Sequence, residues 1–393
     1  AALDSKVDTI RASISVLENG QYVTYPFDIE AARNLYSALF GPVAERLSRA
    51  RHLIFEPDGA MLRLPVNLLV ADDQSVARYL ERSEAADADP FDFSGVQWLG
   101  RDLDVSTAVS ARAFADARLA PRSSASQQYL GMGRNQPVAA TTKVATLRGG
   151  EQNQDGTCEW PISQWNSPIS DRELVNAQSL VGAENSQLIT GAAFTDTGIL
   201  SKNDMDDFRI LHFATHGLVT APSPSCPAKP ALVTSFGDDG SDGLLAFDEI
   251  FDLKLDADII ILSACDTAGK ASITATREAG VSSGGGTALD GLVRSFIGAG
   301  GRSVLASHWP APDEFRATER LINGLFSDGE GQSIAGALKR SQQDLMDDPT
   351  TSHPFYWAGF ALIGDGGRSF LQSRASAAAD GTAPAATTKA ALP

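Results

Sequence analysis

Two short apolar stretches constrain this chain more than anything else in it: Leu211-His212-Phe213-Ala214-Thr215-His216-Gly217 and Ile259-Ile260-Ile261-Leu262-Ser263-Ala264-Cys265-Asp266-Thr267. Strands buried on both faces of a parallel sheet read as continuous apolar runs, whereas half-exposed strands alternate. Each stretch is such a run, and each ends in a reactive side chain, His216 and Cys265, 49 residues apart. The pattern predicts an α/β fold in which both runs are strands of one mostly parallel sheet covered by helices. In open α/β sheets the ligand crevice lies outside the carboxyl ends of the strands, where both residues would stand.

The chemistry fits that placement. A thiol attacks a carbonyl as thiolate, and a neighbouring imidazole can draw off its proton and later protonate the leaving group. Gly217 would let the backbone turn after His216, and its N–H together with that of Cys265 would form an oxyanion hole. Either residue alone fits a structural role, since cysteine is often a small buried apolar group and a strand-end histidine often only satisfies its neighbours. Their pairing at this spacing favours a catalytic dyad, because a histidine about 50 residues upstream of an Ala-Cys nucleophile is a caspase-type layout.

The chain resembles the CHAT domain family, which is related to caspases and separases. The resemblance rests on Phe213-Ala214-Thr215-His216-Gly217, Pro230-Ala231-Leu232-Val233, Leu262-Ser263-Ala264-Cys265-Asp266-Thr267, Gly291-Leu292-Val293-Arg294-Ser295-Phe296 and Ser307-His308-Trp309-Pro310. Shorter matches at Leu35-Tyr36, Pro57-Asp58-Gly59 and Leu64-Pro65 extend it over roughly residues 25–365. The resemblance implies a caspase-like sheet flanked by helices on both faces, with a less regular N-terminal lobe, and a cysteine endopeptidase acting on a protein or peptide. It also implies a bacterial protein and an activating partner sensed by tetratricopeptide repeats upstream, which this sequence does not contain. A latent or non-proteolytic interaction module is the alternative.

Specificity in such peptidases lies in the pocket for the side chain before the scissile bond. Trp309-Pro310-Ala311-Pro312-Asp313 is similar to a separase segment in which an aspartate four residues after a tryptophan binds a substrate arginine. The resemblance therefore implies Asp313, with Trp309 beside it, as the base of an Arg/Lys pocket, and Asp266 competes for that role; a carboxylate selects a basic side chain by charge-assisted pairing. Asp313 also precedes a helical pattern, where capping is a common use of aspartate. His212 reads as a core histidine, and His308 as a residue beside the pocket. Arg277, in the Gly/Ser-rich stretch after the nucleophile, is a candidate self-cleavage site if the pocket prefers basic residues.

Composition bounds the rest. With 393 residues, 43% of them hydrophobic, the chain can bury a large core. A net charge of −17 argues against nucleic acid or anionic lipid as partner and suits a basic polypeptide segment. No apolar run approaches the roughly 18 residues of a membrane span. The five histidines and three cysteines show no paired ligand spacing, so no metal or other cofactor is expected. Cys158 and Cys226 are left as either a disulfide in an exported protein or two free thiols in a reducing compartment. The compartment stays open between the bacterial cytoplasm and, with that disulfide, the periplasm; the chain begins Ala-Ala-Leu, and a removed signal would leave no trace.

Along the chain, residues 1–133 read as the N-terminal lobe, 134–170 as an exposed loop, 171–367 as the catalytic lobe and 368–393 as a disordered Ala/Thr/Ser-rich tail. Apolar spacing predicts helices over 29–47, 107–119, 171–181, 288–297, 315–326 and 333–346, and strands at 52–55, 129–132, 187–190, 209–214, 258–264, 302–306 and 355–363. Gly131-Met132-Gly133 lacks the third glycine of a dinucleotide loop and reads as a turn. Gly280-Val281-Ser282-Ser283-Gly284 has the spacing of a serine nucleophile elbow but no apolar strand before it.

Overall fold

The apolar runs become buried strands, and their order in the sheet decides what stands beside His216. The computed structural model describes residues 2–18, 21–138, 162–218, 230–237, 240–263, 289–309, 311–312, 314–327, 329 and 331–371. In chain order the strands are β1 (Val16–Glu18), β2 (Gln21–Val23), β3 (His52–Phe55), β4 (Asp104–Thr107), β5 (Gln127–Asn135), β6 (Ser186–Gly191), β7 (Phe208–Ala214), β8 (Gly217–Leu218), β9 (Ala231–Phe236), β10 (Asp242–Ala246), β11 (Ile259–Ser263), β12 (Ser303–Ser307) and β13 (Phe360–Gly364). The helices that matter below are α1 (Ala2–Ile14), α2 (Ile29–Phe40), α3 (Arg172–Val181), α4 (Leu289–Gly298), α5 (Ala317–Ser327) and α6 (Ile334–Asp347).

Eight strands form one sheet in the order β3-β4-β13-β12-β11-β7-β5-β6. Every neighbouring pair is parallel except β12 with β13. The N-terminal strands β3 and β4 therefore run opposite to β7, β11 and β12 while extending the same sheet. Strands β8, β9 and β10 make a separate three-stranded antiparallel sheet.

Alternation sorts the side chains of the central strands between two cores. Ile210, Ile259, Ile261 and Leu305 join one cluster with Leu321, Leu325, Leu338 and Leu345 from α5 and α6. Leu211, Phe213, Ile260, Leu262, Val304 and Ala306 join the other with Leu292, Val293 and Phe296 of α4. The covering helices follow their local signals. Ser333 caps α6 by accepting from the Gly336 N–H, and Ile334, Ala337, Leu338, Ser341 and Leu345 are buried along one face. Asp28 caps α2 in the same way through the Ala31 N–H.

Several expectations shift. The helix predicted over 29–47 stops at Phe40, because Pro42 in the following turn cannot donate a helical bond, and short turns then reach Leu47. Residues 104–107 are strand β4, and the helix predicted from 107 starts at Ala111 behind the Ser110 cap. Pro354 opens a helical turn over Pro354–Trp357, so the closing strand is Phe360–Gly364 rather than 355–363.

The lobe boundary after residue 133 falls inside β5. The stretch expected as exposed loop returns to the fold at its far end: Trp165 is fully buried, and its carbonyl accepts from Asn135 Nδ2 at 2.8 Å. Residues 368–371, expected within the tail, pack onto the fold: Phe370 is buried and the Arg368 carbonyl accepts from the Ile334 N–H. Residues 372–393 lie outside the described residues.

Candidate active site

Strand β11 lies next to β7 in parallel register, with Ser263 opposite Ala214. His216 comes two residues after Ala214, and Cys265 two residues after Ser263. Cys265 is outside the described residues, as are Asp266, Arg277, Asp313, Cys158 and Cys226. What the structure defines is the histidine side of the site and the strand end that leads to the cysteine.

His216 is held from three directions. Thr215, fully buried, donates its hydroxyl to the Val233 carbonyl at 2.6 Å. The Val233 N–H in turn donates to the His216 carbonyl at 2.9 Å, so the backbone is fixed to β9 on both sides of the histidine. Gly217 does not take a left-handed turn; it opens β8, opposite Leu232 of β9. The change of direction after β7 is thus enforced by pairing with the small sheet, not by glycine's conformational freedom.

The third restraint is on the ring. His216 Nε2 is 2.6 Å from the carbonyl oxygen of Ser167. A carbonyl can only accept, so Nε2 carries the proton and Nδ1 is left with the lone pair. The geometry therefore sets the tautomer and makes Nδ1 the basic atom.

Ser167 is presented by the helical turn Ser163–Asn166. That turn is anchored by Trp165, whose indole N–H donates to the Gly243 carbonyl at 3.0 Å and whose ring packs with Leu218, Val233 and Phe236. Asn166 adds a second tie by accepting from the Val138 N–H. No side-chain pattern in the sequence marks this partner of His216, because it is a main-chain oxygen, which any residue supplies. The usable signal was Trp165, a large apolar residue inside an otherwise polar stretch.

Beneath the site on the same strand, His212 is fully buried, as expected of a core histidine. Its Nδ1 shares a hydrogen bond of 2.9 Å with the Tyr129 hydroxyl, its Nε2 is 3.4 Å from Glu173 Oε1, and its ring stacks on Phe326. Burial, with Glu173 nearby, pushes the Tyr129 phenol well above its ordinary range, so it stays a neutral hydroxyl. Glu173 escaped sequence reasoning because an acid in the first turn of a helix ordinarily serves the helix end in solvent, whereas here it is buried with Leu174 and Ala177.

Trp309, expected beside the pocket, is packed into the fold. It is 2% exposed, donates its indole N–H to the Phe355 carbonyl at 2.9 Å and faces the Arg11 guanidinium. Its ring is thus enclosed between the Phe355 segment and Arg11. Just before residue 313 the Pro312 carbonyl accepts from the Thr318 hydroxyl, and after it Phe315 and Arg316 both take left-handed backbone at φ 53° and 54°. Two adjacent non-glycine residues there are strained. His308 is buried, lines a pocket with Leu64, Val293 and Ile363, and its ring lies 6.4 Å, centroid to centroid, from that of Trp309.

Among the described residues no group of three or more His, Cys, Asp or Glu side chains is arranged to hold a metal ion, and no helix is long and apolar enough to cross a membrane.

Residues 30–365 match the CHAT domain family. The chain belongs to that family. Among curated proteins, this CHAT domain is 27% identical over 229 residues to tetratricopeptide repeat protein 28 of Homo sapiens and 26% identical over 232 residues to that of Mus musculus. Each match takes in 50% of this chain but only 8% of the relative's length. Among solved structures it is similar to the Arg-specific cysteine proteinase gingipain R, with TM-score 0.44 and 10% identity over 94% of this chain and 74% of that one. It is also similar to the Porphyromonas gingivalis RgpB pro- and mature-domain complex, with TM-score 0.45 and 9% identity over 94% and 76%. The Saccharomyces cerevisiae separase–securin complex matches at TM-score 0.39 and 13% identity over 67% of this chain and 14% of that one.

Proposed function

We propose that this CHAT domain is a cysteine endopeptidase in which Cys265 attacks the peptide carbonyl and His216 acts as general base and then general acid. The observation that carries the reading is the parallel register of β7 and β11 at Ala214 and Ser263. Two further residues reach at most about 7 Å, and neighbouring strands lie about 4.8 Å apart. Cys265 thus starts within reach of a histidine that is already fixed in place.

The Ser167 carbonyl supports the role of His216 directly. It leaves Nδ1 free to take the thiol proton and accepts a hydrogen bond from Nε2–H, which strengthens as the ring becomes imidazolium. The thiolate then adds to the carbonyl, the N–H groups of Gly217 and Cys265 receive the oxyanion, and His216 returns the proton to the leaving amine. Water hydrolyses the thioester by the same base.

Asp313, with Asp266 as competitor, is the proposed partner of an Arg or Lys before the scissile bond, and Arg277 is the corresponding self-cleavage site. The proposed substrate is a polypeptide, and the proposed regulator is a partner sensed by repeat domains elsewhere in a longer protein. A disulfide between Cys158 and Cys226 belongs to the version of this proposal in which the protein is exported.

The test is cleavage of a diverse peptide library by the purified chain beside Cys265→Ala. Cutting after Arg or Lys that disappears in the variant upholds the reading. Cysteine-dependent cutting after other residues keeps the dyad and removes Asp313. Cutting that survives Cys265→Ala overturns the mechanism.

A further inference from the structure

The segment that presents the Ser167 carbonyl to His216 is gripped at both ends by two neighbouring residues of β5. Before Ser167, the Trp165 carbonyl accepts from Asn135 Nδ2 at 2.8 Å. After it, Asp171 Oδ2 accepts from Arg134 Nη1 at 3.0 Å. Asp171 stands at the start of α3, where an aspartate ordinarily caps the helix, yet its side chain makes no capping bond.

Both ends are within reach because β5 breaks its pleat there. Gly133 pairs with Thr190 and Asn135 with Gly191, so Arg134 is an extra residue, a bulge against β6. Its backbone is left-handed at φ 50°, which is strained for a residue other than glycine. Bulges are rare between parallel strands and over-represented beside active sites, where they re-aim side chains. Here the Arg134 side chain is turned out to solvent while Asn135 is 1% exposed. The carbonyls of Trp165 and Gln136 can only accept, so the Asn135 NH2 group faces them. Its Oδ1 is buried with no hydrogen-bond partner among the described residues. An unpaired buried oxygen costs stability, so packing alone does not account for an amide at this position.

We infer that the Arg134–Asn135 bulge is a clamp that positions His216, with Asn135 as its main positioning residue. The clamp acts through residues 165–171, holding the Ser167 oxygen against Nε2–H. It shares a reference frame with the histidine. The Val233 N–H fixes the His216 carbonyl, and two residues further along β9 the Ser235 hydroxyl oxygen accepts from the Gln136 N–H at 2.8 Å. Strand β9 therefore ties down both the histidine backbone and the residue that follows the clamp. The effect of the clamp on rate rests on the peptidase reading of His216; its effect on the ring does not.

The experiment is NMR of the intact chain with nitrogen-15 histidine, following solvent exchange of the His216 Nε2–H proton, assigned by its loss in His216→Ala. Asn135→Asp sets a carboxylate against two carbonyl oxygens, and Asn135→Ala removes the donor; each should speed the exchange about 10-fold or more. Arg134→Gln loosens only the exposed end and should speed it by a factor of about 2–5; this variant carries the test if neither Asn135 variant folds. Exchange at the wild-type rate in a folded Asn135→Ala whose urea midpoint has dropped would mark a merely structural role and overturn the clamp. A larger effect from Arg134→Gln than from Asn135→Ala would overturn the assignment of Asn135, and no effect from Arg134→Gln where it stands alone would overturn the clamp. In a cleaving chain, kcat should fall about 10-fold in Asn135→Ala with KM little changed. Faster exchange together with Cys265 alkylation that ignores His216 would uphold the clamp and remove the peptidase reading.

Discussion

Removing the anchor that presents Ser167 to His216 gives a prediction with two separable readouts. Trp165 is fully buried, and its indole N–H donates to the Gly243 carbonyl at 3.0 Å. Trp165→Phe keeps most of the packing and leaves that carbonyl without its donor, at a cost of about 1–3 kcal/mol. Trp165→Ala also empties the space against Leu218, Val233 and Phe236 and should cost about 3–5 kcal/mol. Both are measurable by denaturant unfolding.

The second readout is local. If the turn shifts, the Ser167 carbonyl no longer holds Nε2–H, and a hydrogen bond to a charged imidazolium is worth about 1.5–3 kcal/mol, or roughly 10- to 150-fold in kcat with little change in KM. Nitrogen NMR of His216 should show Nε2–H as the major neutral tautomer in the wild type and a mixture in Trp165→Ala. A folded Trp165→Ala that keeps both the tautomer and kcat would refute the positioning role.

Two further outcomes follow from buried groups. His353 is satisfied only as a neutral ring: Nε2–H donates to the Tyr25 carbonyl, and Nδ1 accepts from the Phe355 N–H, where a second proton would meet a donor. Burial holds His353 at about 4 and His308 at about 3, both below the ordinary 6.5, so the unfolded chain binds the extra protons and stability falls as pH drops below 6.5. At pH 5 each contributes a loss of about 2 kcal/mol, the loss ending only below the folded values. Urea midpoints at pH 7 and pH 5 check this, and His353→Gln should flatten part of the dependence. Gly133→Ala would set a methyl group 2.2 Å from the Ala214 carbonyl oxygen, forcing β5 from β7 just below His216. A loss of at least about 1–3 kcal/mol is expected, read by thermal or urea unfolding.

The central sheet was legible because its strands are short, predominantly apolar and bounded by polar turns, so Phe208–Ala214, Ile259–Ser263 and Ser303–Ser307 announce themselves. Strand β4 was not, because of its four residues only Ser106 is fully buried and its pairing with β3 is nowhere in its own sequence. The small sheet also escaped notice, although Ala231–Phe236 carries a readable apolar run; its partners β8 and β10 are too short or too polar to signal. At the site, His216 was visible as a strand-end residue, while the group that fixes its tautomer is a backbone oxygen 49 residues earlier. Trp309 reads in the sequence as a contact surface beside a candidate pocket; the absence of a side chain at Gly359, which no local pattern announces, lets its ring pack inward.

The pairing of His216 with Cys265 is tested most directly by the rate at which iodoacetamide alkylates Cys265, identified by peptide mass mapping, in the wild type and in His216→Ala at pH 6. An imidazole partner maintains thiolate at a pH where an ordinary thiol is almost fully protonated. The wild type should therefore react about 10-fold faster than the variant or more, whether or not the chain is in a cleaving state. Equal rates in the two proteins would contradict the dyad.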